Sequence, residues 1–175
     1  TCSRIPKKNG TFRKIYNPDV YMRVIQNLLL KHVFDKVDIP DYIHAFEKTK
    51  SIPAMAQIHT NKRLVISIDL KDFFDTIKHK KIVECLMTLG MGEAPAKTVA
   101  ELVTYKFFVP QGGLTSPKVS NMVTSMTFGP LVKRLCESKG FDVSIYADDI
   151  TISTNQEGEI DVRGIITEIT NIVNE

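Results

Sequence analysis

The stretch VSIYADDITIS, residues 143–153, sets two adjacent aspartates, Asp148 and Asp149, between runs of strand-forming residues. β-branched and aromatic side chains crowd up to the acids from both sides, which predicts strand, tight turn, strand, with two like charges at the tip. Aspartate is a common turn residue, so a loop that happens to be acidic is the plain alternative. A second segment weighs against it. RLVISIDL, residues 63–70, is a near-continuous aliphatic run of the kind found in strands buried on both faces, and it also ends in an acid, Asp69.

If the two strands are neighbours, three carboxylates meet. Unpaired like charges at that range raise one another's pKa and repel, and a divalent cation removes the conflict. Oxygen donors with no His or Cys favour Mg2+, with Mn2+ as the alternative, and magnesium leaves several positions to water and substrate phosphates. Two such ions about 4 Å apart suit phosphoryl transfer, one activating the attacking hydroxyl and the other stabilising the leaving pyrophosphate.

The remaining chain alternates helices with a few short strands, which predicts an α+β or α/β sheet layered with helices. Asn9-Gly10 supplies a hairpin tip, and Asn17 with Pro18 starts a helix whose apolar pattern runs to about Val37. A short helix follows Ser51-Ile52-Pro53; others are expected over 80–89, closed by Gly90, and from Ala94 to Tyr105. VPQGGLTSP reads as a loop ending in a Ser116 cap, and the helix beyond it bends near Gly129-Pro130. Val162, Ile165, Ile166, Ile169, Ile172 and Val173 mark an amphipathic helix.

With 175 residues, 43% hydrophobic, the chain can bury one substantial core. It has no membrane-spanning run and no secretory apolar core, so a soluble, cytoplasmic protein is expected. Three widely spaced cysteines predict reduced thiols rather than a disulfide framework or zinc site. The net charge of +3 is modest, yet Arg4, Lys7, Lys8, Arg13 and Lys14 all precede the first acid, Asp19, and form an anion-attracting patch or a solvated basic arm.

Four segments, in order, carry a family resemblance: IPKKNGTFRKIYNP (5–18), DLKDFF (69–74), VPQGGLTSPKVSN (109–121) and YADD (146–149). Together they resemble the successive motifs of bacterial reverse transcriptases, most closely the retron type. MAQIH (55–59) is similar to the retron Asn-Ala-x-x-His element, with Met55 where Asn is usual, and IHAFEKTKSI (43–52) resembles the loop before it.

The resemblance implies the fingers and palm of a polymerase right hand: an α+β fold with an antiparallel palm sheet backed by helices. It assigns the fingers to 1–62 with part of 76–110 and the palm to 63–175, and implies a primer grip and thumb beyond Glu175, so that the chain reads as a fragment. The implied reaction is RNA-directed addition of deoxynucleotides to a primer, with an RNA template, a DNA or RNA primer and deoxynucleoside triphosphates as partners. Asp69 and Asp148 would ligate both ions, Asp149 would be peripheral, and the Leu70 carbonyl would complete one shell. Strand alternation sets Tyr146 on the face of Asp148, toward the primer end or in the core.

Phe74 resembles the gate that rejects a ribose hydroxyl, while Phe73 reads equally well as core. Gln111 and Gly112 resemble the loop along the incoming nucleotide, and Gly113 a plain turn. Arg13, with Lys7 or Lys8, matches the residues that hold the triphosphate, and a guanidinium fork suits phosphate oxygens. Asp72 and Asp75 read as the start of the next element, and His59 and His79 as structural or solvated. The rivals are a group II intron or diversity-generating reverse transcriptase and a non-catalytic RNA-binding module. The latter has no use for clustered acids beside a polyanion.

Overall fold

The computed structural model of the protein describes residues 2–6, 10 and 12–174. These divide into two units, Thr1–Asp38 with Asp72–Val123 and Ile39–Lys71 with Thr124–Glu175.

The first unit opens with an antiparallel pair, β1 (Cys2–Pro6) and β2 (Phe12–Tyr16), in register Cys2 to Tyr16 and Pro6 to Phe12. The hairpin tip expected at Asn9 lies outside the described residues, as do Lys7 and Lys8. Helix α1 (Val20–His32) is capped by Asp19, whose carboxylate accepts from the Met22 amide at 2.8 Å. The expected cap, Asn17, is too far upstream, because Pro18 is followed by another residue able to cap. The helix ends at His32 and gives way to a 3-10 turn over Phe34–Lys36, short of the expected end. Gln26 is its single buried residue, and Val20, Tyr21, Val24 and Leu28 lie exposed.

The second unit follows with α2 (Ile52–Ile58), capped by Ser51, and β3 (Leu64–Asp69). The first unit resumes with α3 (Phe73–Thr76), α4 (His79–Thr88), α5 (Glu93–Val103) and most of α6 (Ser116–Met126). Helices α4 and α5 pack together through Ile82, Leu86, Ala96, Ala100 and Val103, all buried. Gly90 ends the α4 segment at φ 93°, a left-handed turn that glycine takes without strain.

The second unit is completed by α7 (Phe128–Ser138), β4 (Asp142–Tyr146), β5 (Asp149–Thr154) and α8 (Val162–Asn174). The expected bend is a full break at Thr127, and Gly129 is required there, since a Cβ would stand 2.5 Å from the Thr124 carbonyl oxygen. The sheet order is β3-β5-β4, antiparallel throughout. Its core face carries Leu64, Ile66, Ile68, Ile150, Ile152, Val143 and Ile145 against Val132, Cys136, Ile165 and Ile169 of α7 and α8. Each fully buried isoleucine there stabilises the fold by about 1.5–3 kcal/mol.

One expectation changes. β3 is not buried on both faces: it is an edge strand whose Val65, Ser67 and Asp69 are exposed, so an aliphatic run here reflects β propensity as well as burial. The chain passes between the two units three times, at 38–39, 71–72 and 123–124. Segment 39–62 joins the sheet because the His44 amide donates to the Ile145 carbonyl and the Ile145 amide to the Tyr42 carbonyl.

Candidate active site and the loop unit

Strand register brings the acids together. Asp69 ends β3 and Asp149 begins β5, and the two are direct cross-strand partners. Asp149 also pairs with Tyr146 at the end of β4. Directly opposed residues share a sheet face, so Asp69, Asp149 and Tyr146 form one row across three strands. Asp148 sits in the two-residue turn with Ala147, and its carbonyl accepts from the Leu70 amide at 2.8 Å, locking the end of β3 to the turn.

This corrects one expectation. Tyr146 shares its face with Asp149, because strand alternation stops at the turn and does not carry on to Asp148. The Tyr146 ring lies 6.4 Å from that of Phe46, both in the same unit. Ala147 holds φ 54°, a left-handed conformation costing a side-chain-bearing residue roughly 1–2 kcal/mol.

The electrostatics of the row are those of crowded anions. Asp149's carboxyl is raised above the usual aspartate range, first by desolvation and then by the charges of Asp148 and Asp69. Among the described residues no three His, Cys, Asp or Glu side chains close into a metal-binding group. What is present is a strand-paired carboxylate couple with a third carboxylate in the adjoining turn. That set fits magnesium, which is usually held by one or two protein carboxylates, with the other positions left to water and phosphate.

The same sheet face is tied down farther along by α2's end. His59 bridges β5 and β4, its Nδ1 2.7 Å from Ser153 Oγ and its Nε2 2.8 Å from Ser144 Oγ. Desolvation lowers the pKa of His59, and of His44 as well. The MAQIH segment thus supplies a structural clamp, and Met55 is half-buried in α2.

The first unit holds a different set. Arg13 and Gln111 line a common polar cavity of about 350 Å3 with Phe12, Lys14, Tyr16, Asp72, Asp75 and Phe108. The side-chain oxygen of Gln111 is buried there without a hydrogen-bond partner among the described residues. Its backbone carbonyl accepts from the Tyr16 amide at 2.7 Å, so the 110–113 loop is stitched to β2. Gly112 makes that approach possible: φ is 99°, and a Cβ would stand 2.5 Å from Ile15 Cγ2.

Phe73 is buried, whereas Phe74 is half-exposed beside it, ring centroids 5.4 Å apart. Asp72 and Asp75 do lie at the start of α3, but Asp72 makes no capping bond with its side chain, and both acids line the cavity with Arg13 and Lys14. Ser116 is the first helical residue, not the cap, and its hydroxyl donates to the Pro110 carbonyl at 2.6 Å.

Sequence reasoning missed Gln26. Its side-chain amide donates to the Leu102 carbonyl and its side-chain oxygen accepts from the Leu114 amide, each at 3.1 Å. A buried glutamine with both ends used holds the end of α5 and the loop that contains Leu114 to α1. The available signal was a lone polar residue between the apolar positions of α1, which is too weak by itself.

Comparison with known proteins now bears on the fold and the site. A family model described as reverse transcriptase (RNA-dependent DNA polymerase) matches residues 5–175. The retron Se72 reverse transcriptase of Salmonella heidelberg is 34% identical over 152 residues, covering 86% of this chain and 40% of that protein. The retron Ec86 reverse transcriptase of Escherichia coli is 30% identical over 141 residues, covering 81% of this chain and 44% of that one. The chain therefore spans less than half the length of these relatives. Among solved structures, a Candida albicans telomerase in complex with a fragment of telomeric RNA aligns over 99% of this chain and 39% of its own, with TM-score 0.63 at 13% identity. An apo telomerase from Candida tropicalis gives TM-score 0.61 at 15% identity, over 99% of this chain and 46% of that one.

Proposed function

Because the chain belongs to the reverse transcriptase family and has its fold, we propose that it contributes the catalytic acids and nucleotide-side loop of an RNA-directed DNA polymerase. The observation that carries this reading is the row Asp69, Asp149, Tyr146 with Asp148 in the adjoining turn. A pure binding module would gain nothing from crowding three carboxylates together, where the charges of Asp148 and Asp69 add to the desolvation that raises the Asp149 carboxyl.

In this reading Asp69 and Asp148 hold magnesium, with Mn2+ as a substitute, the Leu70 carbonyl contributes, and Asp149 stands in the outer position. Bound there, the ions would lower the pKa of a primer hydroxyl and neutralise charge on the leaving pyrophosphate. Tyr146 presents a flat ring on the acid face for the primer end. We assign the palm to the sheet unit and the fingers to the other. Arg13 meets the triphosphate, with Lys7 or Lys8 beside it. Gln111 and Gly112 line the incoming nucleotide, and the half-exposed Phe74 ring excludes a ribose hydroxyl. The orphaned Gln111 side-chain oxygen supports the nucleotide assignment, since a buried acceptor without a donor costs about 1–3 kcal/mol until one arrives.

Primer extension with Mg2+ on RNA and DNA templates tests the proposal, using this chain and a version lengthened through the region that continues in the relatives. Template-dependent deoxynucleotide addition is expected, relaxed in sugar choice by Phe74→Val. Extension undiminished in Asp148→Asn would overturn the assignment.

A further inference from the structure

A second hairpin, in the first unit, breaks the local rules in a way that packing does not explain. Tyr105 and Phe108 exchange backbone hydrogen bonds, Tyr105 amide to Phe108 carbonyl at 2.9 Å and Phe108 amide to Tyr105 carbonyl at 3.2 Å. The two residues between them, Lys106 and Phe107, hold φ 50° and 65°. Two-residue turns with positive φ at both central positions strongly prefer Asn-Gly, because other side chains are strained there. Here the strained pair is a lysine and a phenylalanine, and the Phe107 ring is 74% exposed, so burial returns nothing for it.

The surroundings share one character. Tyr105 is 44% exposed, with the Lys106 ammonium 5.6 Å over its ring. The His79 ring stands edge-on to Phe107 at 5.9 Å, and the His79 amide donates to the Phe107 carbonyl, fixing the turn against the start of α4. That first turn of α4 carries His79, Lys80 and Lys81 and no acid, and Lys78 gives it no side-chain cap. Cations at a helix N-terminus oppose the macrodipole. The two lysines share one partner, Glu84, at 3.9 and 3.7 Å, and the Lys80 side chain remains 90% exposed.

Strain held at an exposed ring, beside cations gathered at a positive helix end, is the arrangement that binds a base by its face and its phosphate by charge. We infer that the Tyr105–Phe108 turn and the first turn of α4 form a binding site for single-stranded nucleic acid, a base stacking on Phe107 and the adjoining phosphates meeting Lys80, Lys81 and Lys106. The ligand class rests on ring exposure and charge; that the strand is a polymerase's template rests on the function proposed above.

The test is anisotropy of a labelled, unstructured oligouridylate and its deoxy counterpart with the 175-residue chain, in EDTA and without nucleotide, so that failure of the polymerase reading leaves the result untouched. Phe107→Ala is expected to weaken binding about 5-fold or more, and Phe107→Tyr to retain it. Lys80→Ala and Lys106→Ala should each lower the slope of log affinity against log salt by about 0.7. The paired change Lys106→Asn with Phe107→Gly should raise the melting temperature while removing the binding, a combination that a purely structural turn does not give. Affinity unchanged by Phe107→Ala, or a paired variant that melts lower than the parent, overturns the inference.

Discussion

The acids of the sheet unit and the cavity residues of the loop unit are held in place by opposite means. Asp69, Asp149 and Tyr146 stand in a row because three strands pair in one register, and a slip of one residue would turn all of them to the other face. Gln111 and Gly112 have no such ladder. Their loop hangs from one backbone bond to Tyr16, the Ser116 hydroxyl and the buried amide of Gln26. Register is cooperative and tolerant of side-chain change, while a hung loop depends on single atoms. Substitutions in the row should therefore change chemistry with little effect on the fold, and substitutions around the loop should change both.

The largest effect belongs to the acid in the turn beside the row. Asp148→Asn should lower primer extension by about 10³-fold with a melting temperature close to the parent's, as steady-state rates and thermal melts will read. Equal losses of fold and activity would break the contrast. Next comes Gly112→Ala, which meets both the positive φ and the approach to Ile15. A destabilisation of about 1–3 kcal/mol in urea melts is expected, together with a raised KM for the nucleotide.

Gln26→Leu sharpens the comparison from inside the helix. It leaves the Leu114 amide without its partner and should cost about 1–3 kcal/mol. Its KM for nucleotide should rise more than kcat falls, with partial rescue by Gln26→Glu; an unchanged KM would reduce Gln26 to a stability residue.

The smallest effect is a pH dependence confined to the sheet unit. His59 and His44 have folded pKa values lowered, chiefly by desolvation. The fold therefore binds fewer protons than the unfolded chain. The stability they contribute is fully present above their unfolded value, about 6.5, and is lost as pH falls through the folded values. A drop of a few degrees in melting temperature over that window is expected, smaller in His59→Gln.

Most of the sheet unit was legible because its signals are local and periodic. Alternating apolar residues on both sides of Ala147-Asp148 announced β4 and β5, and the Ile165, Ile169 and Ile172 spacing announced α8. The partner of β5 was legible only through Asp69, a charge ending an aliphatic run. What escaped was tertiary. Whether Tyr146 faces Asp148 or Asp149 depends on where the strand stops and the turn begins, which alternation does not reveal. The exposure of Val65 follows from the edge position of β3, set by topology and not by sequence pattern. Asp19 took the capping role from Asn17 because the two differ by a shift that propensity does not resolve. Gln26 and the Lys106-Phe107 turn were invisible for one reason: their meaning comes from residues far away in the chain.

The meeting of Asp69 with Asp148 and Asp149 around a shared cation is tested most directly by replacing magnesium with Fe2+ and generating hydroxyl radicals at the bound ion. Backbone cleavage is expected at two places in one molecule, beside residues 69–70 and beside 147–149, and both cuts should vanish together in Asp148→Asn. Cleavage at only one of these segments, or two cuts that persist in the variant, would contradict the account.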